Sequence, residues 1–285
     1  ALVKKGPMKT AFVYMNNELN VARGAGYVAG AVLKEGHTLK FFDTFFTPVE
    51  KLSRIVAEED FDILMISTMT IIFPEAIKLI KLVKGKKNIP ILVGGIHPTI
   101  IGGRLLEENP DIDYLCIGEG ESFVAEFLEN LGKDSLYDVK NLAYRRDGRV
   151  VVNPLRPVED LAKLPPFPWH FFPKEAVIQE GQGFIYVTAT RGCPYDCTYC
   201  ANGVYLRMYK KSYLRYRPVA DVIEELRFLN GKFSPKLFYF GDEMIFMNKE
   251  YALQLFGALK RELNIPYGCM VRVEHINPEV VEILK

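Results

Sequence analysis

The chain has 285 residues, 49% apolar and 25% charged, with a formal net charge of +1. That length suits two compact cores better than one, and a charge so close to zero leaves no electrostatic footprint for nucleic acid or another polyanion. No apolar run reaches the length of a membrane span and no signal peptide opens the chain, so a cytoplasmic protein is expected.

Met8, followed directly by KTAFVY, reads as the natural start, with the seven residues before it as an addition. From there β-rich runs alternate with helical patterns. Strands are expected over 10–15 (TAFVYM), 39–43, 61–67 (FDILMIS), 90–93 (PILV) and 114–117, and helices near 21–34, 74–84 and 123–131. This alternation implies an α/β fold with a doubly wound parallel sheet. Ligands of such sheets sit beyond the carboxyl ends of the strands. Here that rim would hold Asn16, Ser67, Thr68, Thr70, Gly94, Gly95, His97, Gly118, Glu119 and Glu121. His97 stands before a proline at a strand end, where a histidine is as readily a turn residue as a ligand contact.

Asp147-Gly148 between alternating runs predicts a hairpin over 141–153. The stretch 164–173, LPPFPWHFFP, carries four prolines in ten residues. It can form neither helix nor central strand and reads as a stiff connector. The expected organisation is therefore a first domain over 1–135, hairpin and linker over 136–180, and a second domain over 181–285. In the last, strands near 184–188, 236–240 and 267–273 alternate with helices near 219–229, 250–263 and from Pro278 onward. Three such units do not close a barrel, which takes about 250 residues when eight-membered, so the pattern reads as the first part of a longer barrel.

Five cysteines, three of them within eight residues, argue against a disulfide framework. Cys116 and Cys269 stand alone in apolar stretches and read as small buried hydrophobes. Residues 190–202 read TRGCPYDCTYCAN, a C-x3-C-x2-C spacing over Cys193, Cys197 and Cys200. A cubane [4Fe–4S] cluster is normally held by four thiolates; three leave one iron open to a further ligand. Gly192 and Pro194 suit a tight loop beyond a strand end, and Tyr199 offers a ring that could lie against an adenine. A zinc site is the alternative. Zinc wants four nitrogen or sulfur ligands, and His37, His97, His170 and His275 are all remote in sequence. A second competing motif is Gly24 to Ala29 (GAGYVA), which fits the dinucleotide fingerprint G-x-G-x-x-A. It begins about nine residues beyond the first strand, too far for a phosphate turn, and reads instead as close helix–sheet packing.

The cysteine loop resembles the signature of the radical S-adenosylmethionine superfamily, C-x3-C-x-aromatic-C. YLRYRPVADVIEEL (213–226) is similar to the segment leading into that family's first barrel helix. LFYFGDEMIFMNKE (237–250) resembles its second strand, and CMVRVEHINPEVVEILK (269–285) its third strand and helix. The resemblance implies a partial TIM barrel with S-adenosylmethionine held by Tyr199, Gly241, Asp242, Glu243 and Arg272. Asp242 departs from the commoner glycine of the family's GGE-like element. The front half, with GGIHPT after the fourth strand and GEGES after the fifth, looks like the cobalamin-binding domain of class B members, as does the proline-rich connector. Cobalamin is thus implied at the rim residues named above other than Glu121. The D-x-H-x-x-G motif is absent, so no protein histidine is expected on cobalt.

The implied activity is methyl transfer to an unactivated carbon or to phosphorus, by way of a 5′-deoxyadenosyl radical and methylcobalamin. The substrate would be a small molecule or peptide, and the electron donor flavodoxin or ferredoxin. Two alternatives stay open: radical cyclisation or rearrangement, with or without cobalamin, and a non-catalytic cobalamin or iron–sulfur sensor.

Overall fold

The computed structural model describes residues 6–179, 182–210 and 213–284. They fall into two compact units. The first holds the N-terminal strand with residues 22–159 and 164–171; the second holds residue 172 onward with the short segments 19–21 and 160–163.

The first unit runs β1 (Lys9–Tyr14), α1 (Arg23–Lys34), β2 (Thr38–Asp43), α2 (Val49–Glu58), β3 (Ile63–Ser67), α3 (Phe73–Lys84), β4 (Ile91–Gly94), α4 (Ile96–Ile101), α5 (Arg104–Glu108), β5 (Tyr114–Cys116) and α6 (Glu121–Asn130), followed by the hairpin β6 (Leu142–Arg146) and β7 (Arg149–Val152). The sheet order is β2-β1-β3-β4-β5-β6-β7. The first five strands are parallel and the last two antiparallel. Near-continuous burial in β1, β3 and β4 is what a parallel sheet covered on both faces requires. Helix α1 packs beside α6, and α2 beside α3.

The strands lie where the hydrophobic runs place them. Helix α2 was not expected, although its buried Val49, Leu52, Ser53 and Val56 follow the i, i+3, i+4, i+7 spacing of a helix face. The GGIHPT stretch, read as a rim loop, turns into α4 directly after Gly95.

The segment 136–180 departs from a simple hairpin and linker. Asp147 and Gly148 take positive φ angles of 50° and 72°, as a two-residue hairpin turn of the primed type demands. The hairpin does not stand apart: β6 pairs with β5, burying Leu142, Ala143 and Tyr144, and so extends the sheet. Residues 164–171 lie on α1. A Cβ added at Gly26 would stand 2.3 Å from the Phe167 ring, and one at Gly30 would stand 3.0 Å from the Pro166 carbonyl oxygen. Gly26, within GAGYVA, and Gly30, just beyond it, therefore admit the proline-rich segment against the helix, in place of the helix–sheet packing expected, while Gly24 meets nothing within 4 Å.

The second unit runs α7 (Lys174–Val177), β8 (Phe184–Val187), β9 (Thr190–Arg191), α8 (Ala201–Tyr209), β10 (Arg215–Tyr216), α9 (Val219–Phe233), β11 (Leu237–Phe240), α10 (Lys249–Glu262), β12 (Tyr267–Cys269) and α11 (Pro278–Leu284). Strand β11 lies between β8 and β12, parallel to both. Strand β12 is shorter than the expected 267–273. Phe240, Phe246, Phe256 and Tyr267 form its aromatic core, with the Phe256 and Tyr267 rings stacked at 4.5 Å. No helix among the described residues is long and apolar enough to cross a membrane.

Candidate functional site

In the second unit the carboxyl ends of β8, β11 and β12 feed the cysteine loop, the Gly241-Asp242-Glu243 turn and Arg272 respectively. This is the edge on which parallel α/β folds build their sites. Gly192 has φ +98°, and a Cβ there would stand 2.3 Å from the Tyr213 carbonyl oxygen, so only glycine fits. The loop then turns through Cys197, whose carbonyl accepts from the Cys200 amide at 3.1 Å, and α8 begins directly after Cys200.

All five cysteines are free; Cys193 is buried, while Cys197 and Cys200 are half-buried. Burial pushes the Cys193 thiol up, and the neighbouring Glu243, Cys197 and Cys200 add to that effect, so the three sulfurs share one electrostatic neighbourhood. Among the described residues no three His, Cys, Asp or Glu side chains group closely enough to hold a single metal ion. A cubane makes a different demand, because its thiolates bind separate irons. Arg272 meets this loop. Its guanidinium lies 4.1 Å from the Tyr195 ring centroid and pairs with Glu274 at 2.5 Å, while its Nε is buried without an acceptor; Glu274 first, and the Cys197 side chain to a lesser degree, favour its charged form. Three unpaired thiols beside a cation with a spare donor are a donor set that fits an anionic iron–sulfur cluster. The Tyr195 hydroxyl meets His275 Nε2 at 3.0 Å, so the stretch after β12 is fastened to the loop at two points.

The residues expected around S-adenosylmethionine divide. Tyr199 is 91% exposed, its ring open to a partner. Glu243 Oε1 accepts from Asn202 Nδ2 at 3.1 Å. Asp242, expected to face the methionyl amino group, instead turns inward and is 1% exposed. Its carboxylate accepts from the Ala189 amide, at 2.9 and 3.1 Å to its two oxygens, and from the Thr190 amide and the Thr190 hydroxyl, the last at 2.6 Å. The donors nearest in space are those of the chain entering the cysteine loop, and they occupy it. Burial raises the Asp242 carboxyl to about 6, against the lowering pull of those hydrogen bonds. Thr190, Asn202, Arg217 and Tyr251 carry the polar contacts around the loop, and sequence reasoning passed over them. Thr190 and Asn202 stand at the two ends of the TRGCPYDCTYCAN stretch and Arg217 within 213–226, which was the only signal they gave; Tyr251 gave none.

In the first unit the rim residues do converge at the strand ends of β1, β3, β4 and β5. Gly95, with φ +105°, sits where a Cβ would be 2.6 Å from the Thr68 carbonyl oxygen. His97 Nδ1 meets Thr70 Oγ1 at 3.1 Å, its ring lies 4.1 Å from Phe73, and burial lowers its pKa, which keeps it neutral. The Gly118 amide donates to Thr99 Oγ1 at 3.0 Å. Several expected ligands are occupied by protein: Asn16 Nδ2 donates to the Glu18 carbonyl and to Asp43, and Glu119 Oε2 accepts from the Glu159 amide at 2.7 Å. Asn141, unnoticed in the sequence, donates from Nδ2 to the Glu119 carbonyl at 2.9 Å and accepts from the Arg156 amide at 2.6 Å, holding the loop after β5 to the hairpin. Ser67, Thr68 and Gly94 lie on the same rim.

A doubly wound domain with a glycine-opened rim, followed by parallel βα units with three free thiols at the strand ends, defines a cofactor-binding α/β protein of two modules. Residues 20–128 match the B12 binding domain family and residues 187–285 the radical SAM superfamily. The chain therefore carries a B12 binding domain followed by a radical S-adenosylmethionine domain, the organisation its motifs imply. An uncharacterised methyltransferase of Pyrococcus horikoshii is 28% identical over 92% of this chain and 57% of its own length. An anaerobic magnesium-protoporphyrin IX monomethyl ester cyclase of Rubrivivax gelatinosus is 25% identical over 94% of this chain and 51% of its own. In fold, the radical S-adenosylmethionine methyltransferase TsrM of Kitasatospora setae superposes with a TM-score of 0.74 at 16% identity, covering 96% of this chain and 60% of TsrM. The cobalamin-dependent S-adenosylmethionine radical enzyme OxsB gives 0.73 at 18%, covering 92% of this chain and 38% of OxsB. The chain spans about half the length of the curated relatives it matches.

Proposed function

We propose that the protein is a cobalamin-dependent radical S-adenosylmethionine enzyme that transfers a methyl group to an unactivated carbon or phosphorus of a small molecule or peptide. The observation that carries this reading is the set of three unpaired thiols, Cys193, Cys197 and Cys200, at the carboxyl end of β8 in a chain whose front half matches the B12 binding domain. When bound, the cluster supplies the electron that cleaves the sulfonium, and cobalamin supplies the methyl carrier.

The chain's own residues bind and orient. The three cysteines hold the cluster, and Arg272 supports the Cys197 side. Gly241 and Glu243 bound the methionyl end of S-adenosylmethionine, and Tyr199 covers its adenine. Asn16, Ser67, Thr68, Thr70, Gly94, Gly95, His97, Gly118 and Glu119 form the rim for the corrin, some through their backbone because their side chains are held by protein. We place the enzyme in the cytoplasm, with flavodoxin or ferredoxin as electron donor.

Anaerobic reconstitution with iron and sulfide should give about three to four irons per chain and a reduced-cluster EPR signal that S-adenosylmethionine perturbs, as a cubane with one open iron would. Serine at 193, 197 or 200 should abolish both. A wild-type chain that takes up no iron would end the proposal. The cyclase relative favours a second reading, radical ring closure. Methyl transfer leaves S-adenosylhomocysteine and 5′-deoxyadenosine in equal amounts, whereas ring closure leaves no S-adenosylhomocysteine.

A further inference from the structure

The cysteine loop is launched from three residues, Thr188 to Thr190, whose polar groups are gripped by side chains from elsewhere in the second unit. Arg217 Nη1 donates to the Thr188 carbonyl at 2.8 Å and is itself held by Glu225 at 2.6 Å. The Ala189 carbonyl accepts from the Arg217 amide at 2.8 Å and from the Tyr251 hydroxyl at 3.1 Å. The Ala189 amide and both donors of Thr190 go to the Asp242 carboxylate. Three donor hydrogens reach the carboxylate, with three contacts on Oδ1 and one on Oδ2, and at 1% exposure Asp242 presents almost no surface to a ligand.

We propose that Asp242 is a positioning residue for the cysteine loop: by fixing Ala189 and Thr190 it sets where Cys193 stands, and it does not touch S-adenosylmethionine. This rests on the iron–sulfur reading above and deepens it. Only Arg191 and Gly192 separate Thr190 from Cys193. Gly192 is wedged against the Tyr213 carbonyl and Arg191 is paired with Arg215 across β9 and β10, so a direction set at Thr190 is carried into the first thiol. The next residue, Glu243, accepts from Asn202, two positions past the third thiol. Consecutive residues at the end of β11 therefore hold the loop at both ends, Asp242 at its entry and Glu243 at its exit. The sequence position that the family resemblance assigns to the cofactor is used here to hold the loop that binds the metal.

The test compares Asp242→Asn, Thr190→Val and Thr190→Ser with the wild-type chain. In the cluster-free protein, hydrogen exchange read by mass spectrometry should show the Ala189 and Thr190 amides exchanging at least about tenfold faster in Asp242→Asn, since charge-assisted hydrogen bonds are lost, while α9 and α10 keep their protection. After anaerobic reconstitution, Asp242→Asn and Thr190→Val should bind several-fold less iron and give a broadened EPR signal. Thr190→Ser, which keeps the hydroxyl, should match wild type. Unchanged exchange at 189–190, or faster exchange with normal iron and normal EPR, would overturn the proposal. So would normal iron whose EPR signal no longer responds to S-adenosylmethionine, since that would make Asp242 a ligand contact. Were Asp242→Asn to lose protection throughout the unit, the Thr190 pair decides alone. A wild-type chain that binds no iron defeats the cluster reading instead, and the exchange data separate that failure from this one.

Discussion

A carboxylate held by neutral donors in a dry site is stabilised less than it is in water. Asp242 shows which effect wins: burial lifts its carboxyl from 3.8 to about 6 despite three kinds of hydrogen bond. The folded state thus holds the Asp242 proton more tightly than the unfolded chain does. The stability this brings is fully present below about pH 4 and is lost as the pH rises through 6, a span worth on the order of 3 kcal/mol. Tyr251 and Cys269, which sense the same charge, titrate far above that window, as does Tyr216. The unfolding free energy of wild type minus that of Asp242→Asn, from urea titrations, should therefore fall between pH 4 and 6 and level off above; a flat difference would show that the carboxyl is not perturbed. Ionising a buried group at neutral pH costs stability, which suits a residue kept to fix a loop rather than to strengthen a core.

At the level of elements, the proline-rich segment shows what the sequence can and cannot disclose. Four prolines excluded α-helix and central strand, leaving one 3-10 turn over Trp169–Phe171, and the small residues near GAGYVA pointed to packing, although against this segment and not against the sheet. That the two belong to one contact was not visible, because neither periodicity nor turn chemistry records which distant segment a glycine face admits. In the fold Phe167 lies 5.2 Å from Tyr27 and 4.6 Å from Trp169, with the Arg23 guanidinium 4.7 Å from its ring. Trp169 is the chain's one tryptophan, so its fluorescence reports this contact. Phe167→Ala should shift its emission to the red and lower the stability of the first unit by about 2 kcal/mol. Unaltered emission would mean the segment is not seated on α1. The missed helix α2 is a different case: its apolar spacing was present, and a count of matches to the helical template would have found it.

For the whole molecule, strand alternation and the hairpin dipeptide were enough to read a doubly wound domain and a βα array with a cysteine loop at its strand ends. They are local patterns, and parallel βα units are built from local patterns. The inward turn of Asp242, the reach of Arg272 to the cysteine loop and the occupation of Asn16 and Glu119 by protein partners were not legible, since each involves a contact between residues far apart in the chain. The two modules make one further expectation testable. Cobalamin offered to the chain should be retained, by its visible spectrum, equally in wild type and in a variant with serine at 193, 197 and 200. Loss of the corrin with the cysteines would tie its binding to the metal loop.

The unequal burial of the thiols makes the chain its own footprinting reagent. Cys116, 5% exposed and with a thiol pushed far up by burial, should stay unmodified by maleimide under native conditions. Cys197 and Cys200 should react first in the apo protein and Cys193 more slowly. Half-buried Cys269, outside the loop, then serves as the internal standard: protection of 197 and 200 relative to 269 after reconstitution counts occupied sites chain by chain, without any need to know the substrate.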